Sequence, residues 1–322
     1  MRISVTDNVA LKREHILKLR KSGFLVDYYE SIPFSKDDLI QRLRNADVGV
    51  FDLISKVNRE VIDRCEKLKC LITSSTGFHN IDIDYAKKKG IVVCNCPGVF
   101  SQSVAEFVFS MIISLCRNTK QIAEFAKAGI WAFNLFCGTE VSGKTLGVIG
   151  AGNIGSRAIQ IGQGLGMKVL VHTAHPSDER AKRLGLNGFV SLNHLLKKSD
   201  FISLHIPLND STRQLLEKSK LELMKNSAIF INTSQSELVD MDYLYKMLLS
   251  NRIVGAGLDT IRIHPKDYKK SPIYLLGIMN LPNAIVTSDI AWYTREGLER
   301  LAEIVIGNIT DFCKGKPTNV VN

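Results

Sequence analysis

The sequence predicts an α/β fold with two parallel-sheet domains, and three observations predict it. Short apolar runs alternate with amphipathic helical spacing along the chain, the pattern of parallel strands covered by helices on both faces. The alternation breaks once, at a long helical stretch from Val104 to about Lys127, and then restarts. At 322 residues the chain exceeds the ~250–300 at which a single hydrophobic core stops growing.

The first domain opens on the strand "RISVTD". Helical spacing in "NVALKREHILKLRKSG" ends at Gly23, a helix-stop signal. Strands "FLVDYYE", "VGVFD" and "CLITSS" follow, separated by helices "KDDLIQRLRN" and "NREVIDRCEK". A helix, "IDYAKKKG", and a strand, "IVVCN", complete this half. Beyond the long helix, strands recur at "KTLGVIG", "KVLVHT", "FISLHI", "AIFINT", "IVGAGLD" and "AIVTS", with "MDYLYKMLLS" helical among them. The last helix, "TREGLERLAEIVIGNITDFCKG", is amphipathic and is expected to pack back on the first domain. The expected division is residues 1–101 with 291–322 for one domain and 102–290 for the other.

Composition narrows the function classes. Hydrophobic residues at 45% and charged residues at 23% are ordinary for a globular protein. The longest apolar run, "FVFSMIISLC", falls short of the ~18 residues a membrane helix needs, so no membrane partner is expected. The start, "MRISVTDNVALKREHILKLRK", has no apolar signal-peptide core, and a cytoplasmic location is the expectation. The net charge is +10, but Lys and Arg are dispersed rather than striped with aromatics. A solvated surface, or attraction of an anionic cofactor or substrate, is therefore expected, and no nucleic-acid partner. Seven cysteines, an odd count, are scattered; Cys94 and Cys96 stand close, with no second pair at a metal-binding spacing. Buried reduced thiols are expected, and no metal.

One loop carries chemistry on its face. In "LGVIGAGNIGSRAIQIGQGLG", Gly150, Gly152 and Gly155 keep a G-x-G-x-x-G spacing between a strand and a helix. The first glycine makes the tight turn, the second lets the backbone approach a pyrophosphate, and the third lets helix and strand pack closely. Gly150, Gly152, Asn153, Ile154 and Gly155 are therefore the candidate dinucleotide-binding residues, with the phosphates at the helix N-terminus. An acidic residue ending the next strand would bind the adenosine ribose, but "MKVLVHTAHPSDER" has Thr173 there. Without that carboxylate a 2′-phosphate is not repelled, and His175 and Arg180 are candidates to meet it; NAD and NADP both stay open.

Four segments carry a resemblance: "TSSTGFHNIDIDYAKKKGIVVCNCPG", "SVAEFVF", "SDFISLHIPLNDSTRQLL" and "GAGLD". On these the chain resembles, over nearly its full length, the D-isomer-specific 2-hydroxyacid dehydrogenase family. The resemblance implies two Rossmann-like domains with a cleft between them, a small-molecule substrate, and a homodimer formed through the cofactor domains. It implies that the backbone around Ser75, Thr76 and Gly77 holds a substrate carboxylate. It assigns His205, Pro207, Thr233 and Asp259 to the cofactor side.

The same resemblance exposes three departures. The family uses an Arg to bind the keto acid, a His to donate the proton, and a Glu to orient that His. Here the three positions read Gln235 in "INTSQSELVD", Asp289 in "VTSDIAWYT" and His264 in "LDTIRIHP". A lost general acid alone costs ~10²–10⁴ in rate, so the family's ordinary reaction should be nearly dead unless something compensates. The acid–imidazole pair nonetheless persists with its order reversed, and a protonated His264 held by Asp289 could still donate a proton. Gln235 cannot pair with a carboxylate; Arg262 and Arg295 are the candidate replacement cations. An anionic Asp289 would also suit a cationic substrate such as an imine. The expectation is an NAD(P)-dependent oxidoreductase acting on a small carbonyl or imine with a rebuilt site. The alternative is a catalytically silent dinucleotide-binding sensor or interaction protein.

Overall fold

A computed structural model of the chain describes residues 1–131, 133–260 and 273–322. These divide into two units: unit 1 is Met1–Phe100 with Tyr293–Asn322, and unit 2 is Ser101–Trp292.

In unit 1, strands and helices alternate strictly: β1 (Arg2–Val5), α1 (Arg13–Lys21), β2 (Leu25–Tyr28), α2 (Lys36–Leu43), β3 (Val48–Phe51), α3 (Arg59–Asp63), β4 (Cys70–Thr73), α4 (Ile83–Lys88) and β5 (Val92–Cys94). The strands form one sheet in the order β2-β1-β3-β4-β5, every pair parallel. Apolar residues line both faces, as a parallel sheet covered by helices requires. Ile3, Val5, Val48 and Val50 belong to one core; Phe51, Leu71 and Val93 belong to the other, with Leu43. Ser35, Asn58 and Asp82 start α2, α3 and α4 by accepting a backbone N–H on their side chains. Helix α1 begins later than its apolar pattern. Asp7 takes the amides of Val9 and Asp52 on its carboxylate and holds the preceding segment in a turn.

Unit 2 contains α5 (Ser101–Cys116), α6 (Thr119–Lys127), β6 (Thr145–Ile149), α7 (Asn153–Gly164), β7 (Lys168–His172), α8 (Asp178–Arg183), α9 (Leu192–Lys198), β8 (Phe201–Leu204), α10 (Lys218–Leu221), β9 (Ile229–Asn232), α11 (Met241–Leu249), β10 (Gly255–Leu258), α12 (Ile273–Asn280) and β11 (Ala284–Val286). The single long helix expected here is two, because Asn118 takes a left-handed φ of 50° between α5 and α6. The sheet is again parallel, in the order β11-β10-β9-β8-β6-β7. The chain runs outward from β6 to β7 and then returns to the other side of β6 as β8. Such a reversal opens a crevice at the carboxyl ends of the strands, where open α/β sheets bind ligands.

The chain closes with α13 (Arg295–Cys313), whose Leu301, Ala302, Val305 and Ile309 join the unit 1 core containing β1 and β3. Both sheets thus follow the alternation read from the sequence. Among the described residues no helix is long and apolar enough to cross a membrane, and no cluster could hold a metal ion. All seven cysteines are free, five of them buried, and burial pushes the Cys65 thiol up to about 11 and the Cys96 thiol to about 12.

Candidate active site

The glycine-rich loop joins β6 to α7 at the point where the strand order reverses. Gly150 has φ +96°, and a Cβ there would lie 2.3 Å from the His205 carbonyl oxygen. A Cβ on Gly155 would lie 1.9 Å from the Gly150 carbonyl oxygen. Internal packing therefore demands glycine at both positions. At Gly152 a Cβ would meet nothing within 4 Å, so protein packing does not explain this glycine. The open space is what close approach of a ligand to the backbone needs. Ser156 makes the first helical bond of α7, to Gly152, so the amides of Asn153, Ile154 and Gly155 lie ahead of the hydrogen-bonded ladder. They form a donor set for an anion.

Beyond β7, the Thr173 hydroxyl oxygen accepts the His175 amide at 3.4 Å. Arg180, on α8, donates to the Ala151 carbonyl inside the glycine-rich loop and to the His175 carbonyl at 3.5 Å. Its guanidinium therefore bridges the two loops.

The ends of β8, β9 and β10, neighbours in the sheet, each present a buried polar atom without a partner among the described residues. These are His205 Nδ1, Thr233 Oγ1 and Thr260 Oγ1. The other ring nitrogen of His205 stands 2.8 Å from the Ser203 hydroxyl, two residues back on the same face of β8. Burial pushes the His205 imidazole down to about 4, so it is neutral at physiological pH. Buried polar groups are normally hydrogen-bonded. Orphans beside a glycine-lined opening fit a polar ligand at this edge, and a dinucleotide supplies donors and acceptors of the required kind. Pro207 follows, its carbonyl accepting the Thr212 hydroxyl at 2.7 Å.

Gln235 lies just past β9 in an extended conformation, ahead of a short 3-10 turn, Ser236–Leu238. The Asn232 side-chain amide donates to the Gln235 carbonyl at 2.9 Å, fixing the turn from the end of the strand. Asp259 is only 2% exposed. Its carboxylate accepts the Thr287 hydroxyl at 2.5 Å, the Ile290 amide at 3.0 Å and the Ala291 amide at 2.8 Å. It thereby latches the segment after β11. Within that segment Asp289 adopts φ 56°, donates its amide to the Asp259 carbonyl at 3.1 Å, and accepts the Trp292 indole N–H at 2.8 Å. A left-handed residue costs about 1–2 kcal/mol unless it is Gly, Asn or Asp, and Asp tolerates it. Gln235 and Asp289 both sit at carboxyl ends of unit 2 strands. His264 and Arg262 lie outside the described residues, and Arg295 opens α13 in unit 1, exposed.

In unit 1, Ser75, Thr76 and Gly77 follow β4. The Ser75 hydroxyl donates to the Gly77 carbonyl at 2.5 Å and the Thr76 hydroxyl to the Cys96 carbonyl at 3.2 Å. The Cys96 amide and the Asn95 side chain donate to the Ser75 and Thr76 carbonyls, each at 2.8 Å. With side chains and carbonyls turned inward, the amides of residues 75–77 have no acceptor among the described residues. Consecutive free amides suit a carboxylate.

Two features escaped the sequence reading: the Asp259 latch and the Ser203 contact that orients His205. The second had a signal, since Ser203 and His205 are spaced for one face of a strand. The first had none, because its partners lie some thirty residues away.

The model of a family described as D-isomer specific 2-hydroxyacid dehydrogenase, NAD binding domain, matches residues 109–291. A glyoxylate reductase of Thermococcus litoralis is 35% identical over 292 residues, covering 88% of this chain and 86% of that protein. An acyclic imino acid reductase, solved in complex with NADPH and D-Arg, superposes with a TM-score of 0.87 at 33% identity over the whole of both chains. A D-lactate dehydrogenase from Aquifex aeolicus, complexed with NAD and lactic acid, gives a TM-score of 0.81 at 31% identity, covering 98% of this chain and 96% of that one.

Proposed function

The chain belongs to the D-isomer specific 2-hydroxyacid dehydrogenase family, and from that membership we propose that it is an NAD(P)-dependent oxidoreductase with a rebuilt active site, reducing a small carbonyl or imine. A nicotinamide dinucleotide bound at the glycine-rich loop supplies the hydride. The chain's own residues do the rest. The amides at the start of α7 hold the pyrophosphate, with Asn153, Ile154 and Gly155 in front. Neutral His205, with Thr233 beside it in the sheet order, gives the cofactor hydrogen bonds that need no proton transfer. The free amides of residues 75–77 capture a substrate carboxylate. Gln235 offers a neutral amide to the reacting group. His264 is the proton donor, and Asp289 holds it or pairs with a cationic substrate.

The Asp259 latch is the observation that carries this reading. A loop relieved of function would not need a buried carboxylate accepting three hydrogen bonds from the residues around Asp289, which itself is left-handed. An aspartate is ionised at neutral pH, so it favours the protonated, cationic form of an imine over a neutral ketone. Similarity to an acyclic imino acid reductase supports the same arm. The loss of the cation at Gln235 is what favours the second reading, a silent dinucleotide-binding protein.

The test is hydride turnover with NADH and with NADPH against 2-keto acids, aldehydes, ketones, and keto acids mixed with amines. Turnover restricted to the amine-containing mixtures, and lowered at least ~10²-fold by Asp289→Ala, is the expected result. Tight cofactor binding with no turnover across the panel would favour the silent protein.

The reading includes a homodimer formed through unit 2. Ile122, Ile130, Trp131, Phe133 and Leu135, on and after α6, are all exposed, Trp131 by 89%. So many large apolar side chains in one segment mark an interaction surface.

A further inference from the structure

We infer that Asn95, Asn308 and Asn319 are positioning residues that aim the Gly77 amide at a substrate carboxylate, an inference that rests on the reading of residues 75–77 as the carboxylate site. The three meet in unit 1 from the end of β5, from α13 and from the segment after α13. The Asn95 amide donates to the Asn319 carbonyl at 3.1 Å. The Asn308 side-chain amide donates to the Asn95 carbonyl at 2.9 Å, and the Asn319 side-chain amide to the Asn308 side-chain oxygen at 2.8 Å. These bonds close a ring. Asn319 takes φ 54°, a left-handed backbone that asparagine tolerates. Beyond it the chain lies antiparallel along β5, the last strand of its sheet, through the Val320–Cys94 bridge and the Val321 amide on the Val93 carbonyl.

From this ring the Asn95 side chain reaches out and donates to the Thr76 carbonyl at 2.8 Å. That carbonyl shares a rigid peptide plane with the Gly77 N–H, and in a trans peptide the two point opposite ways. Holding the carbonyl on Asn95 therefore turns the Gly77 N–H away from Asn95, into the set of free amides after β4. The neighbouring plane is set by backbone, through the Cys96 amide on the Ser75 carbonyl. Asn308 is 1% exposed and Asn95 7%. Asn308 is spaced to share a face of α13 with Leu301 and Val305, which enter the core. An amide buried there costs free energy unless it is bonded, and an apolar side chain would seat the helix without that demand. A satisfied polar network fixes one geometry instead. The geometry fixed here is that of Asn95 and, through it, of Gly77.

The experiment labels the full chain with threonine carrying carbon-13 at its carbonyl and with nitrogen-15 glycine. The sequence has one Thr-Gly step, Thr76-Gly77, so a carbonyl-correlated amide spectrum shows one signal, that of the Gly77 N–H. Oxamate, a carboxylate joined to an amide carbonyl, is titrated in with NADPH and separately with NADH present. The proteins are wild type, Asn95→Ala, Asn308→Ala and Asn319→Gly. In wild type the signal should move with oxamate and stay with uncharged acetamide. Asn95→Ala should shift the signal before any ligand and weaken oxamate about 10-fold or more, the worth of a charge-assisted hydrogen bond. Asn308→Ala and Asn319→Gly should weaken it at least about threefold, the worth of a neutral one, and leave dinucleotide affinity within about twofold. Asn319 is exposed and glycine keeps its left-handed backbone, so this variant tests the ring even where Asn308→Ala does not fold. Unchanged oxamate affinity in Asn95→Ala or in Asn319→Gly overturns the inference. Equal weakening of oxamate and dinucleotide, the mark of a general loss of structure, overturns it too. A wild-type signal indifferent to oxamate ends the inference together with the carboxylate reading beneath it.

Discussion

Gly152 and Gly155 belong to one motif but answer different demands. Gly155→Ala drives a Cβ into the Gly150 carbonyl and should cost about 1–3 kcal/mol in stability, read as a lowered Tm. Gly152→Ala meets open space, so its Tm should stay at the wild-type value while dinucleotide binding weakens; unchanged binding would remove the pyrophosphate from this loop. Asp289→Asn keeps a residue that tolerates the left-handed backbone and removes only the charge. Turnover should fall at least about 100-fold with little change in Tm. His205 makes stability depend on pH. Its folded imidazole titrates at about 4 against 6.5 for an ordinary histidine. Between those values the unfolded chain binds a proton that the folded chain refuses, so stability falls as pH drops from 6.5 toward 4 and is level above. Urea midpoints across that range, compared with His205→Gln, should show the variant losing this part of the slope. At this scale the glycine spacing was legible in the sequence, because Gly150 and Gly155 meet local steric demands and Gly152 keeps its backbone open to a ligand. The readings of positions 235, 264 and 289 rest only on the family pattern, since Gln, His and Asp there carry no local signal of their own. The left-handed backbone of Asp289 was not legible, since it is imposed by Asp259 from a different strand.

At the scale of elements, strand runs were read well because strands buried on both faces must be apolar almost throughout. Each of the five strand runs quoted for unit 1 and the six quoted for unit 2 contains a strand of the corresponding sheet. Boundaries were read less well where a side chain competes with the helix. Asp7 delays α1, and Asn118 divides α5 from α6 within the polar stretch Arg117 to Gln121. The short helices α8, α9 and α10 carry too few turns for a periodic signal. The latch after β11 yields a prediction of its own. Asp259→Ala leaves the Ala291 amide buried without its acceptor and should cost about 1–3 kcal/mol or more. It should also lower turnover by releasing Asp289, whereas Asp259→Asn, which keeps an acceptor oxygen, should restore part of the Tm. Equal Tm values for Asp259→Ala and wild type would show that the latch does not hold the loop.

For the molecule as a whole, a net charge of +10 favours anionic ligands and opposes self-association through charged faces. Assembly should therefore use the apolar segment after α6. The double substitution Trp131→Asp with Phe133→Asp should convert a dimer to a monomer in light scattering, while thermal unfolding of the monomer stays cooperative; a dimer that survives it uses another surface. The placement of the tryptophans has a further, optical consequence. There are only two, Trp131 and Trp292. Trp131 is almost fully exposed, so its emission should be red-shifted and open to a collisional quencher such as iodide. Trp292 is half-buried and bound through its indole N–H to the backbone of Asp289. In a Trp131→Phe protein the remaining tryptophan emission comes from the loop after β11 alone, and a change in its wavelength or lifetime on adding ligand would time the loop's response without any attached dye.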